Sequence, residues 1–98
     1  MAEVEQLTVN LIYNRLMYSI YVIYNAVPRR FYIGQTCNLE NRLTEHNRKV
    51  FKGYTARFPG KWVLIYEESV ATRPEALRRE KQLKSFRGRE FIKKFIPG

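Results

Sequence analysis

The chain reads as a small α/β domain of the α+β kind. It predicts a three-stranded, mainly antiparallel sheet flanked by helices, in the order β-β-α-β-α-α. Three observations carry this. Residues 18–24, YSIYVIY, alternate with a period of two, and FYIG at 31–34 follows after a short turn. Two stretches, 38–50 and 72–86, show apolar residues at helical spacing behind capping residues. A third apolar run, WVLIYEE at 62–68, lies between those helices.

Each element has a local cause. In the first strand Tyr18, Ile20, Val22 and Tyr24 face one way, while Ser19, Tyr21 and Ile23 face the other. NAVPRR at 25–30 is a turn broken by Asn25 and Pro28, and a hairpin is the natural pairing. In the second strand Phe31 and Ile33 face opposite to Tyr32 and Gly34. If the register follows the pattern, Tyr21 and Tyr32 share the less apolar face, and both hydroxyls can serve one pocket. The first helix has Asn38 as N-cap and Leu39, Leu43 and Val50 as its apolar stripe. Arg42 and His46, four apart, lie one above the other beside that stripe.

FKGYTARFPGK at 51–61 is a basic loop with interleaved aromatics, and its Arg57 and Lys61 are candidate nucleic-acid contacts. The run after it is apolar without a break through Ile65, as expected of a central strand covered on both faces. In the second helix Thr72 and Glu75 match a capping box and Pro74 fits the first turn. The inward stripe is Ala76, Leu77, Leu83 and Phe86. Glu80 falls inside that stripe. An unpaired buried carboxylate is costly, so either a cation such as Arg79 or Arg42 pairs with it or it binds a metal. GREFIKKFI at 88–96 is a last short helix before Pro97.

The totals bound the function. A chain of 98 residues is one domain with one small core. Eighteen Lys and Arg against nine acids give a net charge of +9. The bases are spread over several elements, as on a folded basic face attracted to polyanions. No stretch approaches the length of a membrane span. Acids near the N-terminus argue against a secretion signal, so cytoplasm, close to the nucleoid, is the expected location. The single cysteine, Cys37, excludes an internal disulfide, and Cys37 with His46 is too few ligands for a zinc site.

SIY at 19–21 and YIG at 32–34, NRLTEH at 41–46 and REKQLK at 79–84, in this order and spacing, resemble the motifs of the GIY-YIG endonucleases. GYTARFPGKWVLIYEE resembles the small single-domain branch related to the nuclease module of the excinuclease C subunit. The resemblance covers about residues 18–97. It leaves 1–17 as an N-terminal extension of undetermined role, with Met17 a candidate true start or, alternatively, LTVNLIYNRL an added arm or dimer contact. Ser19 stands where the family has its first glycine, a position that shapes the strand.

The resemblance implies a metal-dependent endonuclease that hydrolyses DNA phosphodiesters. Glu80 would hold one divalent ion, Mg²⁺ with Mn²⁺ as a substitute, since Mg²⁺ keeps most of its water and needs few protein ligands. Arg42 would meet the phosphate's developing charge. Tyr21 would help deprotonate the water, Tyr32 would orient it or bind the phosphate, and His46 would relay a proton. Gly34, Lys84 and Arg79 join the nucleic-acid-binding set. The expected substrate is DNA, branched, flapped or nicked, with repair or recombination as the setting. The competing reading is a basic module that binds nucleic acid without cutting it.

Overall fold

The computed structural model describes residues 17–49 and 53–98. Val50, expected on the first helix's stripe, and residues 1–16 of the N-terminal extension lie outside the described residues. Strand β1 (Tyr18–Asn25) pairs with β2 (Arg30–Thr36) and with β3 (Trp62–Val70), antiparallel to both, in the order β2-β1-β3. Helix α1 (Leu39–Asn47) follows β2. A 3₁₀ turn (Tyr54–Arg57) precedes β3, and α2 (Arg73–Leu83) and α3 (Phe86–Lys93) close the chain. The β-β-α-β-α-α order read from the sequence is the observed one.

The central strand is β1, not β3. Every residue from Ile20 to Asn25 is buried, whereas Val63 and Leu64 in β3 are partly open to solvent. An unbroken apolar run marks a strand that packs well, but it does not say which strand has neighbours on both sides.

The alternation of β1 splits the interior in two. Ile20 and Val22, with Ile33, pack beneath Ala76 and Leu83 of α2 and Ile92 of α3. Tyr21, Ile23 and Trp62 pack on the other face with Tyr32, Leu39, Leu43 and Phe58. Helix α1 therefore covers one face, and α2 and α3 cover the other.

Both predicted caps form. Asn38 accepts from the Asn41 N–H at 3.1 Å, and Thr72 Oγ1 accepts from the Glu75 N–H at 3.3 Å. Helix α2 stops sooner than its apolar pattern predicts. Ser85 breaks it and caps α3, its Oγ accepting from the Gly88 N–H at 3.2 Å. Phe86 is consequently 78% exposed rather than inward, and Leu77, within α2 but off its buried face, is 50% exposed.

Side-chain amides tie the loops to the sheet. Asn47 makes a reciprocal pair with the Trp62 backbone, Nδ2 donating to its carbonyl at 3.0 Å and Oδ1 accepting from its N–H at 2.8 Å. Asn25, fully buried, accepts from the Val27 N–H at 3.1 Å and donates to the Pro59 carbonyl at 2.9 Å. These bonds satisfy backbone groups that the sheet leaves open and fix the loop that carries Thr55.

Candidate active site

The register sets Tyr21 opposite Gly34 and Ile23 opposite Tyr32, so both motif tyrosines lie on the α1 face, as the alternation predicts. Tyr21 is 2% exposed. Its ring fits because position 34 has no side chain, since a Cβ there would lie 2.6 Å from the Tyr21 hydroxyl oxygen. The two tyrosine ring centroids are 6.3 Å apart.

His46 stands on the stripe of α1 itself rather than beside it, three residues after Leu43, and is buried. Its Nε2 lies 2.8 Å from the Tyr21 hydroxyl, and its Nδ1 lies 2.8 Å from Thr55 Oγ1. Its ring is also 5.2 Å from that of Tyr32. Thr55 is anchored in turn, since its carbonyl accepts from Trp62 Nε1 at 3.1 Å. A hydrogen-bonded line thus runs from Tyr21 through His46 to Thr55.

Burial, with the charges of Arg42 and Lys49, pushes the His46 imidazole down to about 4, so the ring is neutral near pH 7. Burial pushes the Tyr21 phenol far above its ordinary range. Tyr32, Glu80 and Glu45 add to the rise, and Arg42 opposes it. Arg42, one turn before His46 and half-buried, thus acts on both members of the pair.

Glu80 lies on α2, close enough for its charge to raise the Tyr21 phenol. Its side chain is 19% exposed, and Lys84 Nζ lies 2.7 Å from its Oε1. The partner is Lys84, one turn along the same helix, not Arg42 or Arg79. Arg79 Nε donates to Glu68 Oε1 at 2.6 Å, and Tyr66 hydrogen-bonds the other carboxylate oxygen of Glu68. Burial tends to raise the Glu68 carboxyl, but the hydrogen bonds from Arg79 and Tyr66 outweigh it and hold the group below its usual range.

The structure therefore brings Tyr21, Tyr32, Gly34 and His46 together, with the charges of Arg42 and Glu80 bearing on the Tyr21 phenol. Lys84 joins Tyr32 along the outer edge of β2. Arg79 is engaged by β3, Arg57 ends the 3₁₀ turn, and Lys61 lines a separate depression with Arg29, Val63 and Pro97. Sequence reading missed Thr55, a threonine in a loop with no local pattern to mark it. It also missed Asn47, where a polar residue ending an apolar-striped helix was a usable signal.

Metal fit turns on Glu80. Among the described residues no group of three or more His, Cys, Asp and Glu gathers as a metal cage. A single carboxylate suits Mg²⁺, which keeps several waters and takes substrate phosphate as ligand. Glu80 already faces a cation, the Lys84 ammonium, so its environment accepts positive charge.

A family model for the GIY-YIG catalytic domain, a nuclease domain, matches residues 17–93. The chain is 38% identical over 75 residues to UPF0213 protein SH2523 of Staphylococcus haemolyticus (strain JCSC1435), an alignment covering 76% of this chain and 88% of that one. The solution NMR structure of UPF0213 protein BH0048 from Bacillus halodurans is similar at 24% identity and a TM-score of 0.49, covering 84% of this chain and 87% of that one. Divalent metal and a nucleic-acid substrate are the general rule for nucleases of this type. Among the described residues no helix is long and apolar enough to cross a membrane. With a catalytic-domain match over most of its length, the chain belongs to the GIY-YIG family.

Proposed function

We propose that the protein is a metal-dependent DNA endonuclease, structure-selective and acting in repair or recombination at the nucleoid. Residues 18–97 are the nuclease unit and 1–17 an extension. The observation that carries this reading is the buried Tyr21–His46–Thr55 line, with the charges of Arg42 and Glu80 bearing on the same phenol.

Hydrolysis requires a proton to leave the attacking water while charge grows on the phosphate oxygens. In the tautomer with its proton on Nδ1, His46 donates to Thr55 Oγ1, and its Nε2 accepts from the Tyr21 hydroxyl. Tyr21 can then take a proton from water as it passes its own to His46. The ring's low proton affinity keeps it neutral and ready beforehand. Tyr32, packed on the same imidazole, orients the water or the phosphate. Arg42 supplies guanidinium charge to the phosphate oxygens. Glu80 would hold Mg²⁺ or its Mn²⁺ substitute, which when bound supplies Lewis-acid charge at the phosphate. Gly34 keeps the backbone beside the phenol unobstructed, and Lys84, Arg79, Arg57 and Lys61 add phosphate contacts.

The alternative is a non-catalytic nucleic-acid-binding module. The Lys84–Glu80 ion pair favours it, since that pair alone can account for a half-buried acid on a basic protein. The deciding experiment is nicking of labelled linear, flapped and branched DNA in Mg²⁺, with EDTA and Glu80→Gln as controls. Cleavage that needs both the metal and Glu80 is the expected result. Salt-dependent binding with no cleavage of any substrate, unchanged in Glu80→Gln, would overturn the nuclease reading.

A further inference from the structure

Among the described residues strand β2 is an edge of the sheet, and a cleft of about 460 Å³ opens along it. We propose that this cleft binds a single-stranded DNA segment continuous with the strand being cut, one base stacking on Tyr54. The proposal rests on the nuclease reading and names the substrate class of that same site.

The lining suits this ligand. Arg30, Lys84 and Arg89 contribute three cations, and among the described residues no carboxylate lines the cleft. Two of the cations are held in place. Arg30 Nη1 donates to the Tyr54 hydroxyl at 3.4 Å, and its guanidinium sits 5.4 Å from the Phe58 ring centroid. Arg89 Nε donates to the Lys84 carbonyl at 3.0 Å, and its guanidinium sits 5.8 Å from the Phe31 ring centroid. Each keeps further N–H groups for phosphate oxygens.

The aromatic residues separate single strand from duplex. Tyr54 is 37% exposed, and its ring lies 21° from parallel to Tyr32, with centroids 6.3 Å apart. Tyr32 in turn packs on His46. A base laid on Tyr54 extends a row of rings that leads to the Tyr21 site. Only an unpaired base can offer its face in this way, whereas duplex DNA presents phosphates to such a surface. Cations alone would serve duplex equally well.

The test is fluorescence anisotropy with labelled oligothymidine and a blunt duplex of equal length, in EDTA so that cleavage plays no part. The readout is the ratio of the two affinities. Tyr54→Ala should weaken oligothymidine binding by about tenfold and leave the duplex nearly unchanged. Tyr54→Phe should keep the wild-type ratio. Arg89→Ala, at an exposed position outside the packed rings, should lower the salt slope for oligothymidine by about 0.7. An unchanged ratio in Tyr54→Ala, or an unchanged salt slope in Arg89→Ala, overturns the proposal. Absence of cleavage of every substrate in the nicking assay would defeat the nuclease reading and leave this measurement intact, so the two failures are distinguishable.

Discussion

Gly34 lies directly across the β1–β2 pairing from Tyr21, and the Tyr21 phenol occupies the space a side chain at position 34 would fill. Tyr21 is fixed by its neighbours, and its hydroxyl is bonded to His46, so the ring has little room to yield. Gly34→Ala should therefore push the phenol off His46. We expect a stability loss of about 1–3 kcal/mol in denaturant titrations and a fall in cleavage of about 100-fold. Wild-type cleavage in a folded Gly34→Ala would show that the phenol is not needed where it stands.

The buried imidazole makes stability depend on pH. His46 titrates at about 4 in the folded chain against its ordinary 6.5. Between those values the unfolded chain binds the extra proton, so stability is full above about pH 6.5 and falls as pH drops toward 4. The loss over that window is on the order of 3 kcal/mol. Urea titrations at pH 7 and pH 4.5 should show it in wild type and show much less in His46→Gln. Because the other ionisable groups are common to both proteins, the difference isolates the imidazole.

Asn47 holds the entry to β3 by bonding both backbone groups of Trp62. Asn47→Ala leaves a buried N–H and carbonyl without those partners and should cost about 1–3 kcal/mol. Asn47→Asp should recover only the bond from the Trp62 N–H. Thermal melts of the three proteins should rank wild type, then Asp, then Ala.

Gly88 abuts the end of α2 so closely that a Cβ would lie 2.3 Å from the Gln82 carbonyl oxygen and 2.4 Å from Leu83 Cα. Backbone atoms cannot swing aside as a flexible side chain can. Gly88→Ala should destabilise the α2–α3 corner by about 1–3 kcal/mol or more. A melting temperature equal to wild type would contradict this.

Lys84 competes with any metal for the Glu80 carboxylate. The lysine is half exposed, so the pair contributes at most about 1 kcal/mol. Lys84→Met should lower the Mg²⁺ concentration needed for half-maximal cleavage by about fivefold or less, while the maximal rate falls if Lys84 also holds phosphate. A Mg²⁺ titration of cleavage separates the two effects.

The strands, their facing and the helix caps were legible because each follows from spacing within a few residues. Tyr21 and Tyr32 could be placed on one face from alternation alone. Strand order was not legible, because β3 is as apolar as β1 and only pairing distinguishes edge from centre. The burial of His46 escaped because a histidine counts as polar in any periodicity. Yet positions 39, 43 and 46 share one helix face, and Thr55 supplies the polar partner from a different element. Phe86 misled because apolar character was weighed above Ser85, whose cap ends the helix before it. A cation partner for Glu80 was expected, and i, i+4 spacing on the same helix points to Lys84.

Strand β1 carries the core on one side and the phenol on the other, and its pairing with β3 includes a bulge between Val22 and Ile23. A slip of one residue would turn Tyr21 into the greasy layer and bring Ile20 or Val22 to face the imidazole. The misaligned chain would lose its interior and its chemistry together, and the offset at the bulge penalises such sliding. Hydrophobic burial thus serves as the alignment jig for the Tyr21–His46 pair, so proofreading of the fold is also proofreading of the candidate site.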